Sequence, residues 1–94
     1  MKFEKIHCDD YTIELIEPIY VRATLKSECA FLEYRPLNIF VTGDDMFQAV
    51  ADFEDTFCFL YERFGLAKDE ELEEKAIKLK NKINSMISEV IHNE

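Results

Sequence analysis

Carboxylates are the most numerous side chains in this sequence that could do chemistry. Asp52 and Asp55 lie three residues apart, which places both on one face of a predicted helix, and Asp44 and Asp45 precede that helix. Hard cations bind oxygen ligands of this kind. However, the Asp-rich loop of an EF-hand is absent, and carboxylates on a helix surface are usually solvated. We therefore expect no metal site. A small carboxylate-based metal-binding protein is the alternative.

Groups able to perform catalysis do not occur in a recognisable arrangement. His7 and His92 are the only histidines, and each lacks a second ligand at a metal-binding spacing. His7 and Cys8 are unsuited to act together as base and nucleophile, because adjacent strand residues point to opposite faces. Gly43 and Gly65 stand alone, so no phosphate-binding loop is present. The sequence predicts no catalytic residues, no cofactor and no enzymatic activity.

The charge balance points toward a protein partner. The 94 residues suffice for one domain, residues 1–94, and include 20 acidic against 11 basic side chains, a net charge of −9. Direct binding of nucleic acid is not expected, because a phosphate-binding surface is normally basic. Residues 44–64 alone contain six acids and one base, a net charge of −5. This concentration suits a basic protein partner, although an acidic surface also serves solubility.

The cysteines and the hydropathy pattern bear on localisation. Cys8, Cys29 and Cys58 are odd in number, far apart and without a Cys-x-x-Cys pair, so we expect reduced, buried thiols. The N-terminus has no basic-then-apolar leader, and no apolar run approaches the length of a membrane span. The expected location is the cytoplasm, without membrane contact.

Residues 1–43 are predicted to form strands. Tyr11–Glu17 alternates apolar and polar residues with the period of a half-buried strand, and Asp9-Asp10 marks the turn before it. The other predicted strands are Lys2–Cys8, Ile19–Leu25, Cys29–Tyr34 and Leu37–Thr42. We expect an α+β fold with a small antiparallel sheet of four to five strands.

Residues 45–64 are predicted to form helix one, which covers that sheet. Apolar residues at alternating spacings of four and three make one stripe, from Met46 to Phe64. Asp52, Asp55 and Glu62 lie on the opposite side and flank Phe59. An aromatic side chain ringed by charge is typical of a binding hot spot, so these four residues form the predicted partner-binding surface. Alternatively, Phe59 packs against the N-terminal hairpin or another subunit.

Residues 69–92 are predicted to form helix two, a second long C-terminal helix. A helix of about 23 residues is about 35 Å long, which exceeds what so small a sheet can cover. The surplus apolar stripe predicts a homo-oligomer, with a dimer favoured. Its predicted interface comprises Leu72, Leu79, Ile83, Met86 and Val90.

Residues 19–64 resemble the N-terminal domain of HicB-like antitoxins. The shared order is a strand, a turn, a second strand ending near Pro36, a short third strand, Gly43 with a capping Asp44, and a helix containing Gln48-Ala49. The chain departs from the family pattern at Gln48, where an acidic residue is usual, and in its additional hairpin over residues 2–17. Residues 66–94 contain one predicted helix and no DNA-binding helix pair.

The resemblance implies a partial RNase H-like fold without catalytic carboxylates. It further implies that the chain neutralises a small basic ribonuclease toxin in a bacterium or archaeon. A net charge of −9 suits such a partner. A solitary homo-oligomeric interaction module without a toxin partner is the alternative function.

Overall fold

The computed structural model describes residues 1–93, which form an α+β fold with two antiparallel sheets and two helices. The α+β class is therefore confirmed. In chain order the elements are β1 (Lys2–His7), β2 (Tyr11–Tyr20), β3 (Arg22–Lys26), β4 (Cys29–Tyr34), β5 (Ile39–Gly43), α1 (Met46–Leu60), α2 (Glu74–Met86) and β6 (Ile87–His92).

The strands divide into two sheets of three, where we expected one sheet of four to five. The strand orders are β1-β2-β6 and β3-β4-β5. Val21 alone separates β2 from β3, so the chain passes almost directly from one sheet to the other. The N–H of Val21 donates to the carbonyl of Met1, and the N-terminal amine donates to the carbonyl of Val21. These two bonds fix the chain at the point where the sheets separate.

Helix α1 holds the two sheets together. The capping residue is Asp45 and not Asp44: the carboxylate of Asp45 accepts a hydrogen bond from the N–H of Gln48 at 2.8 Å and caps the helix N-terminus. Phe53 is fully buried, with its ring centroid 4.9 Å from that of Phe3 on β1 and 6.4 Å from that of Tyr34 on β4. One aromatic side chain thus packs against both sheets.

Gly43 permits a close approach between β5 and the start of α1. A Cβ atom at this position would lie 2.5 Å from the backbone nitrogen of Ala49, which is closer than packed atoms can come. Ala49 is itself fully buried. Only glycine therefore fits here without moving the helix away from the sheet.

The expectation of one long helix over residues 69–92 is wrong. Asp69–Glu71 forms a single 3₁₀ turn, α2 ends at Met86, and β6 pairs antiparallel with β2. Residues 87–91 read Ile-Ser-Glu-Val-Ile, and such β-branched residues pack well in strands. An irregularity in the β2–β6 ladder pairs Ile87 with Leu15 and Val90 with Ile13, so residues three apart share one face of the sheet as they would on a helix. The open edge of β2 then determines which structure forms, because pairing satisfies its backbone groups.

The apolar stripe of helix two is covered by the chain itself. Ile83 is fully buried, and Leu79, Met86 and Val90 are half-buried against the same core. Leu72 is half-buried in the segment before α2. Since α2 is about half the expected length, the surplus apolar surface that suggested this dimer interface does not exist. Ile83 in particular is inaccessible to a second copy, whereas the oligomeric state itself stays a prediction.

Cys8 and Cys58 form a disulfide, contrary to the expectation of reduced thiols. Their Cα atoms are 5.9 Å apart although the residues are 50 positions apart in sequence. The bond joins the turn after β1 to α1, and Cys29 is free. The inference of a reducing compartment, which rested on unpaired cysteines, loses that support. Within residues 1–93, neither helix combines the length and hydrophobicity needed to cross a membrane.

Removal of this disulfide should lower the free energy of unfolding by about 4 kcal/mol, because a cross-link over 50 residues restricts the unfolded chain. Urea unfolding of Cys8→Ala/Cys58→Ala measures the loss, and Cys29→Ala is the matched control that keeps the bond. Denatured wild-type protein should show one reactive thiol without reductant. Three reactive thiols, or equal unfolding free energies for the two variants, would contradict the disulfide.

Candidate protein-binding face

The predicted partner-binding residues lie together on the outer side of α1 and the turn that follows it. We call Asp52, Asp55, Phe59 and Glu62 the acidic face. Their spacings of three, four and three place them along one side of the helix, opposite the buried Phe53 and Phe57. All four are exposed, and Phe59 retains 60% of its accessible surface. Phe59 is therefore a surface residue and not part of the core.

A groove of about 500 Å³ adjoins the acidic face, between α1 and the turn after β1. It is lined by Cys8, Asp9, Asp55, Cys58, Phe59, Glu62 and Arg63. The groove therefore contains three carboxylates and one guanidinium, that of Arg63. This guanidinium lies 5.5 Å from the ring centroid of Phe64. The lining combines negative charge with an exposed aromatic ring. Such a site suits a cationic side chain better than an anionic one.

Asp9 belongs to this groove, and the sequence indicated it only as a turn residue. The Cys8–Cys58 disulfide brings the turn against α1, so Asp9 and Asp55 line the same depression. No spacing in the sequence relates positions 9 and 55. Asp52 is on the acidic face but does not line the groove.

The carboxylate of Glu62 is positioned by Tyr11 on β2. The Tyr11 hydroxyl donates to Glu62 Oε2 at 2.8 Å. Burial, followed by the hydrogen bond and charge of Glu62, raises the pKa of Tyr11 above its usual value. The phenol therefore stays protonated and remains a donor. The hairpin thus holds a surface carboxylate in one orientation.

Glu54 is an acid of α1 that has a structural role. Its Oε2 accepts hydrogen bonds from the backbone N–H of His7 at 2.7 Å and lies 2.8 Å from His7 Nδ1. This side chain fastens α1 to β1. The acidic residues of segment 44–64 therefore include those of the exposed acidic face and also Glu54, whose carboxylate is hydrogen-bonded to His7.

The other residues considered for chemistry lie apart from one another. Cys8 is held in the disulfide, and His92 on β6 lies 5.9 Å from the Tyr11 ring. Within residues 1–93 no group of three or more His, Cys, Asp or Glu side chains is close enough together to hold a metal ion. Gly43 and Gly65 serve close packing, at Ala49 and at Tyr61 respectively.

Comparisons of the chain with protein-family models, with curated proteins and with solved structures gave no match.

The exposure of Phe59 predicts that its removal leaves the fold intact. Phe59→Ala should change the free energy of unfolding by less than ~1 kcal/mol, since surface substitutions are usually near neutral. Phe57→Ala, on the buried side of the same helix, should cost about 3–5 kcal/mol. Urea unfolding of the two variants measures both values. A large loss for Phe59→Ala would show that the ring packs inside the protein.

Divalent cations should not bind the acidic face in a saturable way below ~10 μM, because its carboxylates lie along an exposed helix without further ligands. Calorimetric titration with Mg²⁺ and with Mn²⁺ tests this expectation. Tight binding that is lost in Asp52→Asn or Asp55→Asn would instead establish the metal-binding alternative.

Proposed function

We propose that this chain is a non-catalytic protein-binding domain that uses the acidic face and its groove to bind a basic protein. The observation that carries the proposal is the exposed Phe59 ring beside a groove lined by Asp9, Asp55 and Glu62. A solvent-exposed phenylalanine gains free energy when a partner covers it, because apolar surface leaves water. The surrounding carboxylates then favour partners with cationic side chains.

The parts of the site would contribute differently to binding. Phe59 would supply buried area at the centre, as aromatic hot spots do. Asp55 and Glu62 would pair with Lys or Arg side chains entering the groove. Asp52 is exposed and lies outside the groove. Its negative charge would mainly raise the rate constant for association with a basic partner. Because Tyr11 already orients Glu62, less side-chain entropy is lost there on binding.

We further propose that the partner is a small basic ribonuclease and that the chain neutralises it as HicB-like antitoxins do. Two observations support this narrower proposal. The elements β3, β4, β5 and α1 follow one another in the order on which the resemblance depends. The acidic face lies on the helix of that same unit, and its charge is opposite to that of a basic toxin.

Phe59→Ala should weaken partner binding about 30-fold, which corresponds to about 2 kcal/mol. The tagged chain is isolated from its own cells at low ionic strength, and the bound proteins are quantified by mass spectrometry. The best-retained small basic protein is then titrated with each variant. Phe47→Ala is the matched control, because Phe47 is 84% exposed on the same helix but lies off the acidic face.

Charge-reversal variants distinguish residues that speed association through long-range attraction from residues that contact the bound partner. Asp52→Lys should mainly slow association, and its effect should fade as salt rises, whereas the effect of Phe59→Ala should persist. Two results would overturn the proposal: no basic protein is retained, or Phe47→Ala and Phe59→Ala weaken binding equally. Loss of toxin neutralisation in cells with Phe59→Ala, at unchanged protein level, tests the narrower proposal.

A further inference from the structure

Within residues 1–93 nothing covers one face of the second sheet. α1 packs on the opposite face, which includes Tyr34 and the buried Leu32. Because side chains alternate along a strand, the uncovered face carries every second residue of β3, β4 and β5. We call this set the outer face, and none of its members is buried: Arg22, Thr24, Lys26, Cys29, Phe31, Glu33, Phe40 and Thr42.

Two phenylalanine rings lie side by side on the outer face. Phe31 on β4 and Phe40 on β5 have ring centroids 6.0 Å apart and an interplanar angle of 35°. Phe40 retains 60% of its accessible surface, and Phe31 is half-buried. Both rings line a depression of about 230 Å³, so a ligand can reach them from solvent. A flat apolar group that covers such rings gains free energy by removing their surface from water.

The outer face carries a charge opposite to that of the chain as a whole. Arg22 and Lys26 line the same depression as the two rings, and Lys26 Nζ lies 5.7 Å from the Phe31 ring centroid. Within residues 1–93 neither cation has a carboxylate within 4.0 Å. Glu33 also belongs to this face, but Arg35 Nε lies 3.6 Å from its Oε2 and offsets its charge. Two cations therefore remain available to an anionic ligand.

We propose that the outer face binds single-stranded nucleic acid. Bases stack on Phe31 and Phe40, and backbone phosphates pair with Arg22 and Lys26. These two cations are four residues apart on one strand, about 13 Å at about 3.3 Å per residue, and Phe31 pairs with Thr24 midway between them. Cationic and aromatic side chains combined in this way bind single strands with little sequence preference.

The chemistry of the outer face favours a nucleotide strand over other anions. An acidic peptide would satisfy the two cations, but its carboxylates offer no flat group to the rings. The net charge of −9 argued against nucleic acid, yet it describes the whole chain and not this face. The acidic face is on the outer side of α1, and α1 covers the other side of the second sheet. The two surfaces therefore point away from each other, and this inference does not depend on the proposed function.

Fluorescence anisotropy of a labelled single-stranded RNA of about 12 nucleotides tests the proposal, in ~20 mM salt because phosphate contacts weaken as salt rises. Saturable binding with a Kd below ~100 μM is expected. Phe40→Ala should weaken it about tenfold, since one stacked base is lost. Arg22→Gln and Lys26→Gln should each weaken binding and reduce the slope of log K against log salt by about 0.7.

Two matched variants serve as controls. Phe47→Ala removes an 84% exposed ring from α1, and Lys78→Gln removes an exposed cation from α2, so both should leave the affinity unchanged. Circular dichroism checks that every variant is folded. A duplex of the same sequence should bind at least about tenfold more weakly, because its bases are already stacked on one another.

No saturable binding of the single strand below ~1 mM would overturn the proposal, since even non-specific nucleic-acid binding is usually tighter. Equal affinity for the duplex, or an unchanged affinity in Phe40→Ala, would also overturn it, because base stacking would then have no part in binding. Polyglutamate or anionic lipid vesicles that bind as tightly as the RNA, with the same dependence on Phe40, would instead assign the outer face to an acidic protein or to a membrane surface.

Discussion

The packing of Phe53 against both sheets is the interaction on which the rest of the structure depends. Its ring meets Phe3 of the first sheet and Tyr34 of the second, and among residues 1–93 no hydrogen-bonded ladder joins the two sheets. Buried residues of both sheets and of α1 belong to one hydrophobic cluster. Burial on α1 therefore supplies the common core, and Gly43 and the Cys8–Cys58 disulfide set how closely the helix approaches at its two ends.

The same helix explains how a small chain can present a charged binding surface. Its buried residues are Ala49, Phe53, Phe57 and Cys58, so its outer residues need no role in the core. Tyr11 and His7 hold Glu62 and Glu54 from the neighbouring strands. A binding surface on such a pre-organised element loses little entropy when a partner arrives. The disulfide contributes to the surface as well as to stability, because it places Asp9 beside Asp55.

Local pattern in the sequence was enough to predict the class of fold and the buried stripe of α1. Phe53 and Phe57 are spaced as helical core residues, and both are fully buried. The exposure of Phe59 followed from the same spacing.

The division into two sheets was not predictable, because Ile19–Leu25 reads as one strand and only the tertiary contacts of Val21 show where the chain changes sheet. The disulfide was missed for a similar reason, since nothing local relates residues 50 positions apart. At the C-terminal end, Ile87 and Val90 fit either a helix or a strand, and the pairing with β2 decides between them.

The position of β6 in the chain has a consequence for folding during synthesis. Tyr11 on β2 pairs with His92 on β6, so the partner strand is synthesised some 80 residues after β2. Until then one edge of β2 stays open, while β3, β4, β5 and α1 can already assemble through nearer contacts. Pairings of such high sequence separation are slow to form. Completion of the first sheet therefore requires β6, whereas the second sheet and α1 need only residues 22–60. An edge of β2 left unpaired during synthesis is open to pairing with other chains.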